Sequence, residues 1–394
     1  MAALNAAQPG ASRFVGGCVR NALLGQAADD IDIATQLTPE RVMAAAAAAG
    51  LQVVPTGIEH GTVTVIAAGA PFEVTTLRRD VSTDGRRATV AFTTDWAEDA
   101  ARRDFTLNAL YADQEGTIHD PTGKGVADAL AGRVVFIGDA DRRIAEDYLR
   151  VLRFFRFSAR YAKAGLDAEG LSACGRSAEG LRQISAERVW KELKKLLSAD
   201  DPRAALVGMQ SSGVAAAIWP EAGRIDRLHA MIDLEAGAFL APDPLQRIAA
   251  ALPDQTAAGA LCQRLKASND ERERLVAAHS NAGRIVCYLS MRELRRLVYR
   301  LGQQAFIDQA KIAWADDPRE RTTPQWRALI AFAQGWKPPH FPLTGEQVMA
   351  AGVPPGPQLG AVMREVEAWW IDADFIDDPL SLAERLKAVV QGMT

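Results

Sequence analysis

The sequence predicts an α+β protein, with an N-terminal α/β head followed by a long all-helical remainder. Three observations carry that expectation. Over roughly the first 130 residues, short β-branched runs with period-two alternation interleave with helix-like segments. From about residue 140 onward, apolar residues recur at helical spacing and no strand pattern of weight returns. With 394 residues, 48% of them hydrophobic and 24% charged, the chain has apolar material for more than one core. About two to four domains are expected from that length.

Each element has a local reason. "RFVGG" (13–17) reads as a strand entering a turn, and "CVRNALLG" (18–25) as a helix stopped by Gly25. "IDIAT" (31–35) is expected as a strand. "TPERVMAAAAAAG" (38–50) is expected as a helix: Thr38 caps it, Pro39 fits its first turn, and Gly50 stops it. Its alanines lose no side-chain entropy on becoming helical. "GTVTVIAA" (61–68) and "FEVTTL" (72–77) alternate as strands do. "DADRRIAEDYLRVLRFFRFSARY" (139–161) is expected to be helical, with Ile144, Tyr148, Leu152 and Phe155 forming a buried stripe. "AERVWKELKKLL", "RERLVAAHS", "MRELRRLVYRLG" and "GAVMREVEAWW" continue the helical pattern. Breaks near Pro202, Pro253, Pro318 and Pro338 separate the helical groups, and no clean internal repeat is visible.

A net charge of −4 and a pI near 5.9 argue against a protein coated in basic charge, such as a general chromatin binder. A local basic groove remains compatible with that balance. Residues 141–163 carry seven Arg/Lys against three Asp/Glu, a strip suited to triphosphate or RNA backbone. Cys18, Cys174, Cys262 and Cys287 form no C-x-x-C pair, which disfavours zinc ribbons and dithiol redox motifs and fits a reducing compartment. No apolar run reaches membrane-spanning length, so no membrane partner is expected. "MAALNAAQPG" lacks the basic start and apolar core of a secretion signal, so a cytoplasmic location is expected. The first strand follows closely, so any helix supporting it from the N-terminal side is expected to be short or missing.

The acidic burst Asp29, Asp30 and Asp32 poses the chemical question. If "DIDIA" is a strand, Asp30 and Asp32 share one face, about 7 Å apart, while Ile31 and Ile33 enter the core. Asp29 then points away or lies in the turn. Two carboxylates on one face suit a hard cation such as Mg²⁺. Glu73, on a neighbouring strand, is the best third acid. The plain alternative is a charged strand edge. Gly16 and Gly17, between a strand and a helix, favour a phosphate site instead, with Arg20 one turn inside the helix as an added contact. A dinucleotide fold fits poorly, because G-x-G-x-x-G is missing and the acids come as Asp-x-Asp.

"VGGCVRNALLGQAADDIDIAT" closely resembles the signature of bacterial tRNA nucleotidyltransferases and poly(A) polymerases, members of the nucleotidyltransferase superfamily. The family pattern is Gly-Gly-x-Val-Arg-Asp-x-Leu-Leu-Gly, a short gap, then Asp-x-Asp. Asn21 stands where that family usually has Asp, which is expected to weaken a local hydrogen bond without touching the metal ligands. The resemblance implies a head with a mixed sheet and an elongated all-α neck, body and tail. The boundaries expected are 1–130 for the catalytic head, 131–200 for a neck that selects the base, 201–330 for the body and 331–394 for a tRNA-binding tail.

Further blocks follow in the order of that family. "RRDFTLNALY" (102–111) resembles a block associated with ribose and phosphates, which implies Arg103 as a phosphate contact, Asp104 as an acceptor for a ribose hydroxyl and Asn108 as a turn brace. Alone it reads as a charged helix start. "HDPTGKGVADALAGRVVFIGD" (119–139) resembles the connection to the helical part. His119-Asp120 also suggests a phosphohydrolase pair, but no other of the five histidines lies beside an Asp. "EDYLRVLRFFRF" (146–157) resembles the nucleotide-selecting block. Asp147 and Arg150, three apart on one helix, would be surface neighbours. An acceptor-only carboxylate beside a donor-only guanidinium matches the amino group and ring nitrogen of cytosine or adenine. Uracil and guanine present the reverse and leave polar groups unpaired. Arg153 and Arg156 recur on the same helix as triphosphate contacts. The plain alternative is an ordinary surface salt bridge. "SAERVWKELKKLL" (185–197) reads as a structural brace with Glu187 in its first turn. "FPLTGEQVMAAGVPPGPQLGAVMREVEAW" (341–369) resembles a tail block of these enzymes. Arg292, Arg295, Arg296 and Arg300 fit either a tRNA contact or a charged helix face.

The leading expectation is template-independent addition of CCA to tRNA 3′ ends from CTP and ATP. The resemblance implies two-metal chemistry on Mg²⁺ held by Asp30 and Asp32. A poly(A) polymerase is the nearest alternative, although residues 56–76 lack the Gly-Arg-Arg-Phe type of strand usual in that subfamily. An enzyme adding only CC or only A is another; in this family the loop near "RRDVSTDGRRATVAF" (78–92) is thought to bear on that choice. An inactive RNA-binding module and a Rossmann oxidoreductase are alternatives from other classes.

Overall fold

The computed structural model describes residues 1–392 apart from 29, 85, 86, 239, 281, 282 and 318. The turn expected at Asp29 and the break expected at Pro318 lie outside the described residues. By contacts the chain falls into two compact units. The first holds Met1–Pro220 with the short pieces Ala241–Pro244 and Arg264–Ala267; the second holds Glu221–Leu240, Leu245–Gln263 and Ser268–Thr394.

The first unit begins with a short helix α1 (Ala2–Ala7), then β1 (Ser12–Val15), α2 (Gly17–Leu23), β2 (Asp32–Thr35) and α3 (Pro39–Ala48). Gly25 and Gly50 both adopt positive φ just past the ends of α2 and α3. Thr38 stands at the N-cap of α3 but its side chain makes no capping hydrogen bond. Strands β3 (Gln52–Gly57), β4 (Thr62–Ala67) and β5 (Ala70–Thr76) follow, then a two-stranded ribbon of β6 (Arg78–Asp84) and β7 (Arg87–Phe92). Segment 78–92, expected as a loop, is therefore a paired hairpin whose tip lies outside the described residues. After α4 (Trp96–Ala101) come the short strands β8 (Tyr111–Ala112) and β9 (Ile118–His119).

The main sheet is mixed, with order β3-β4-β5-β2-β1-β8-β9. Only the β2–β5 pairing is parallel among the described strands. Alternation along β2 sorts its residues between two cores. Ile33 joins Val63, Val65 and Val74 under α1 and α3, while Ala34 joins Val15 and Tyr111 on the other face. Ile31 precedes the strand and is 41% exposed, so it does not enter the core as period two predicts.

The helical part of this unit holds α5 (Gly125–Ala131), α6 (Ala140–Glu146), α7 (Leu149–Tyr161), α8 (Ala168–Arg176) and α9 (Ala186–Leu197). Phe105 and Phe136 pack on Phe154 of α7, with Phe136 and Phe154 stacked at 5.5 Å between ring centroids. These aromatic rings bury large area and lock the sheet domain onto α7. The regular elements of the second unit are all helices among its described residues. Its helix Met291–Leu301 starts with the Ser290–Glu293 capping box. No described helix is long and apolar enough to cross a membrane.

Candidate active site

β1 delivers the chain to Gly16 at φ +73°, a left-handed conformation that suits glycine. A β-carbon there would lie 3.5 Å from both Arg103 Nη1 and the Asn108 carbonyl, so the turn packs closely on the 103–108 segment. Gly17 opens α2, and Arg20 follows one turn later. Arg20 is buried and held entirely by neutral groups. Its Nη2 donates to the Tyr161 hydroxyl at 2.6 Å and to Asn21 Oδ1 at 2.9 Å, and its Nη1 donates to Asn108 Oδ1. Burial lowers its pKa, and Tyr161 opposes that fall. Asn21 keeps the acceptor role expected of an Asp and adds a donor, its amide reaching the Ala27 carbonyl at 3.0 Å. The departure at Asn21 therefore costs a counter-charge for Arg20, not a hydrogen bond.

Asp32 opens β2 and is the register partner of Glu73 on β5. Since Ile33 faces α3, Asp32 points to the opposite side of the sheet. Asp30 lies before the strand, so the approach of the chain, not strand alternation, sets its position. Asp30 and Asp32 both line a cleft of about 1100 Å³ together with Gly16, Gly17 and Arg20. Glu73 meets Asp32 through the strand pairing and is not on the cleft wall. Partial burial first, then the charges of Glu73 and Asp30, raise the Asp32 pKa, while Arg103 pulls it down. No three His, Cys, Asp or Glu side chains converge as a metal cage among the described residues. The donor set is two hard carboxylates on the wall of the cleft that Gly16 and Gly17 also line. That fits Mg²⁺, which is usually held by one or two carboxylates plus substrate phosphates.

The block 102–111 is not a helix start. Arg102 ends α4, and a 3₁₀ turn spans Thr106–Asn108 before β8. Arg103 pairs with buried Asp99 at 3.1 Å and reaches the Tyr111 hydroxyl at 3.3 Å. Burial disfavours its charge, but Tyr111 and Asp99 outweigh it and hold its pKa above the usual arginine value. Asp104 is a buried hub. Its Oδ1 accepts from the Phe105 N–H at 2.9 Å and Asn108 Nδ2 at 3.0 Å, and its Oδ2 accepts from Arg153 Nε at 2.6 Å. A continuous chain thus runs Arg153, Asp104, Asn108, Arg20, Tyr161, starting and ending on α7.

The expected single helix over 139–161 is broken at Asp147. That residue is extended, at φ −159° and ψ 106°, between α6 and α7. Asp147 and Arg150 are therefore not i,i+3 neighbours on one helix. Asp147 Oδ1 accepts from the Leu149 N–H at 3.1 Å, and Oδ2 is paired with Arg188 of α9 at 2.6 Å. Arg150 is oriented by Glu146, by the Arg143 carbonyl at 2.7 Å and by the Arg102 carbonyl at 3.1 Å. The break frees Asp147 from the helix surface and turns it, with Arg150, onto the cleft wall. Gly180 supports this geometry: a β-carbon there would lie 2.1–2.5 Å from three carbons of the Tyr148 ring, next to Asp147. Gly180→Ala is expected to displace Tyr148 and cost about 1–3 kcal/mol through overpacking. A thermal melt of the variant checks this, and an unchanged midpoint would remove Gly180 from the supporting shell.

Every expected nucleotide-binding residue lines this one cleft: Gly16, Gly17, Arg20, Arg103, Asp104, Asn108, Asp147, Arg150, Arg153 and Arg156. Arg156 is paired there with buried Glu192 of α9 at 3.1 Å. Other motifs are absorbed structurally. His119 Nε2 lies 3.1 Å from Asp113, while Asp120 accepts from the Thr122 and Val126 N–H groups at the start of α5. In the second unit, Arg292 donates to the Asp372 carbonyl, Arg295 pairs with Asp374 at 2.7 Å, and Arg296 pairs with the Asp372 carboxylate at 2.5 Å. Those arginines brace their own unit. The sequence reading missed Arg188, Lys195, Asp99 and Tyr161. Arg188 and Lys195 sit in an amphipathic helix that reads only as a brace, and nothing in its local pattern separates cleft-facing cations from solvated ones.

The profile described as "Poly A polymerase head domain" matches residues 12–135, and one described as "Probable RNA and SrmB- binding site of polymerase A" matches residues 166–224. The mitochondrial CCA tRNA nucleotidyltransferase 1 of Danio rerio is 34% identical over 372 residues, covering 91% of this chain and 83% of its own length. The CCA-adding enzyme of Levilactobacillus brevis is 32% identical over 367 residues, covering 90% of this chain and 88% of its own. The crystal structure of the Bacillus stearothermophilus CCA-adding enzyme in complex with CTP superposes with a TM-score of 0.78 at 26% identity, covering 97% of this chain and 94% of that one. With relatives this similar over nearly their whole length, and the head domain they share placed around this cleft, the chain belongs to the CCA tRNA nucleotidyltransferase family and is an enzyme of that class.

Proposed function

We propose that this chain adds CCA to the 3′ end of tRNA, without a nucleic-acid template, from CTP and ATP. One observation carries the reading: a carboxylate pair, an arginine-lined wall and a donor–acceptor pair for a base all face one cleft. Relatives whose structures hold CTP, ATP or tRNA support the choice of substrates. Asp30 and Asp32 are assigned to hold Mg²⁺, with Glu73 completing the acidic set through its charge on Asp32. Bound there, the metal supplies a Lewis acid that lowers the pKa of the primer 3′-OH and stabilises the pyrophosphate leaving group.

The remaining work falls to the chain itself. Arg103, Arg153 and Arg156 neutralise the triphosphate while their own carboxylate partners fix their geometry. Asp147 accepts the amino hydrogen of cytosine or adenine with the lone pairs left by Leu149 and Arg188. Arg150 uses three of the five guanidinium N–H donors on Glu146, Arg143 and Arg102, which leaves donors for the ring nitrogen. Uracil and guanine would set carbonyl against carboxylate, a mismatch worth about 1–3 kcal/mol. Asp147→Ala is accordingly expected to lower discrimination against UTP and GTP about 10- to 100-fold. Unchanged C and A selection in that variant would sink the pairing.

We assign residues 1–130 to the head, 131–200 to the neck, 201–330 to the body and 331–394 to a tail that binds tRNA. A cytoplasmic location accords with four buried, unpaired cysteines. The deciding experiment supplies tRNA lacking its CCA end with each labelled nucleotide. Growth by C, C and A followed by arrest is expected. Long A tails would mean polyadenylation, arrest after CC or growth by A alone a partial enzyme, and no incorporation an RNA-binding module.

A further inference from the structure

We infer that Arg160 and Lys195 seat the terminal phosphates of the incoming nucleoside triphosphate, at the end of the cleft remote from Asp147 and Arg150. The inference rests on the reading of Asp147 and Arg150 as the base-selecting end of an enzyme that uses nucleoside triphosphates.

Arg20 and Arg102 apart, the cations on the cleft wall divide into two sets. Arg103, Arg150, Arg153, Arg156 and Arg188 are each paired with a carboxylate of this chain. Each of those charges is locally neutralised, and the side chain is fixed. Arg160 and Lys195 line the same cleft, are exposed, and have no ion pair among the described residues. Arg160 lies over the Tyr161 ring, 5.7 Å from its centroid. Partial burial, then Arg156, with Lys191 and Arg153 adding to it, lower the Lys195 pKa, while Glu192 opposes them. Arg20, whose partners are neutral, adds a third uncompensated cation nearby, since its side chain reaches Tyr161. Asp200 lines the wall beyond Lys195 and offsets part of this charge. The excess of positive charge is therefore concentrated around the C-terminal end of α7.

The direction of α7 says what this excess is for. Arg150, Arg153, Arg156 and Arg160 are spaced three, three and four residues apart and all line the cleft, so they form one face of the helix. From Arg150 to Arg160 the helix rises about 15 Å. A nucleotide with its base at Arg150 lays its sugar and first phosphate along the carboxylate-paired arginines. Its tail then reaches Arg160 on α7 and Lys195 on α9. A terminal phosphate carries more charge than an internal phosphodiester, and two mobile cations without internal partners are suited to take it up and to let pyrophosphate leave. A backbone phosphate of the RNA primer offers related chemistry from a second source, and the test separates the two.

The test uses the full chain, tRNA lacking its CCA end, and the variants Arg160→Gln and Lys195→Gln. Each variant is expected to raise the KM for CTP and for ATP about tenfold, with the KM for tRNA unchanged. Inhibition by inorganic pyrophosphate and by tripolyphosphate should weaken in parallel. Arg160→Lys and Lys195→Arg should restore most of the loss, and a thermal melt confirms that each variant folds. An increase confined to the KM for tRNA would assign the pair to the RNA backbone and overturn the inference, as would unchanged inhibition by pyrophosphate. Absence of addition by the unaltered chain would instead overturn the functional reading; tripolyphosphate binding by calorimetry then still tests Arg160 and Lys195 directly.

Discussion

Asp32→Asn is expected to lower nucleotide addition at least about 10³-fold while leaving the melting temperature at or above that of the unaltered chain. The loss follows from removing one of the two carboxylates proposed to hold the metal, an effect of several kcal/mol at about 1.4 kcal/mol per tenfold. The stability follows from the sign of the pKa shift. Partial burial and the charges of Glu73 and Asp30 raise the Asp32 pKa in the folded chain. The folded state thus binds that proton more readily than the unfolded chain does. Its favourable contribution is complete below the ordinary carboxylate range and is lost as pH rises through the raised value. At neutral pH the ionised Asp32 opposes folding, and a neutral amide relieves that repulsion. Mg²⁺ at Asp32 opposes that protonation, so the acid limb of activity should move to lower pH as Mg²⁺ is raised. Label incorporation across pH and a melt of the same sample check both halves; retained activity in the variant would sink the metal assignment.

Asp104→Ala has the second large effect, and it is structural. The variant removes the partner of Arg153 and strands the amide of Asn108. Breaking a buried, hydrogen-bonded ion pair costs about 3–5 kcal/mol. Arg153 keeps about a third of its side-chain exposure, so about 2–3 kcal/mol is expected here. That corresponds to a fall of roughly 5 °C or more in the melting of the unit that contains it. The pH dependence has the opposite sign to Asp32. Burial pushes the Asp104 pKa up, but Arg153, Asn108 and the Phe105 N–H together bring it below the usual value. Its stabilisation is complete above about pH 4 and is lost as pH falls through the depressed value. Asp104→Ala should flatten the acid side of the stability curve. An unchanged melt would mean that the Arg153–Asp104–Asn108–Arg20 chain does not hold the sheet domain to α7.

The elements around the site were legible where local chemistry decides them. The strand–glycine–helix start at Gly16, the helix stops at Gly25 and Gly50, and the β4–β5 alternation all follow from backbone preference and side-chain period. The ribbon at 78–92 was not legible, because its charged and small residues carry no clear period-two pattern. The break at Asp147 was hidden for the opposite reason. Ile144, Tyr148 and Leu152 keep helical spacing across it, and it is the packing of Tyr148 over Gly180 and the pull of Arg188 that accompany an extended residue there.

The sequence by itself determined which residue types could do the chemistry: Asp30 and Asp32 as hard oxygen donors, Asp147 with Arg150 as an acceptor–donor pair, and a basic strip along 141–163. It also determined the split between an α/β head and a helical remainder, since period two and period 3.6 are written into the order of apolar residues. Only the tertiary structure decided which charges remain available. Pairing Arg153 with Asp104, Arg156 with Glu192 and Arg188 with Asp147 requires side chains 36 to 49 positions apart to meet. An ion pair depends on distance in space, and burial depends on what packs above it. Neither is a property of a residue's neighbours in the chain, so the uncompensated charge of Arg20, Arg160 and Lys195 emerges only from the folded cleft.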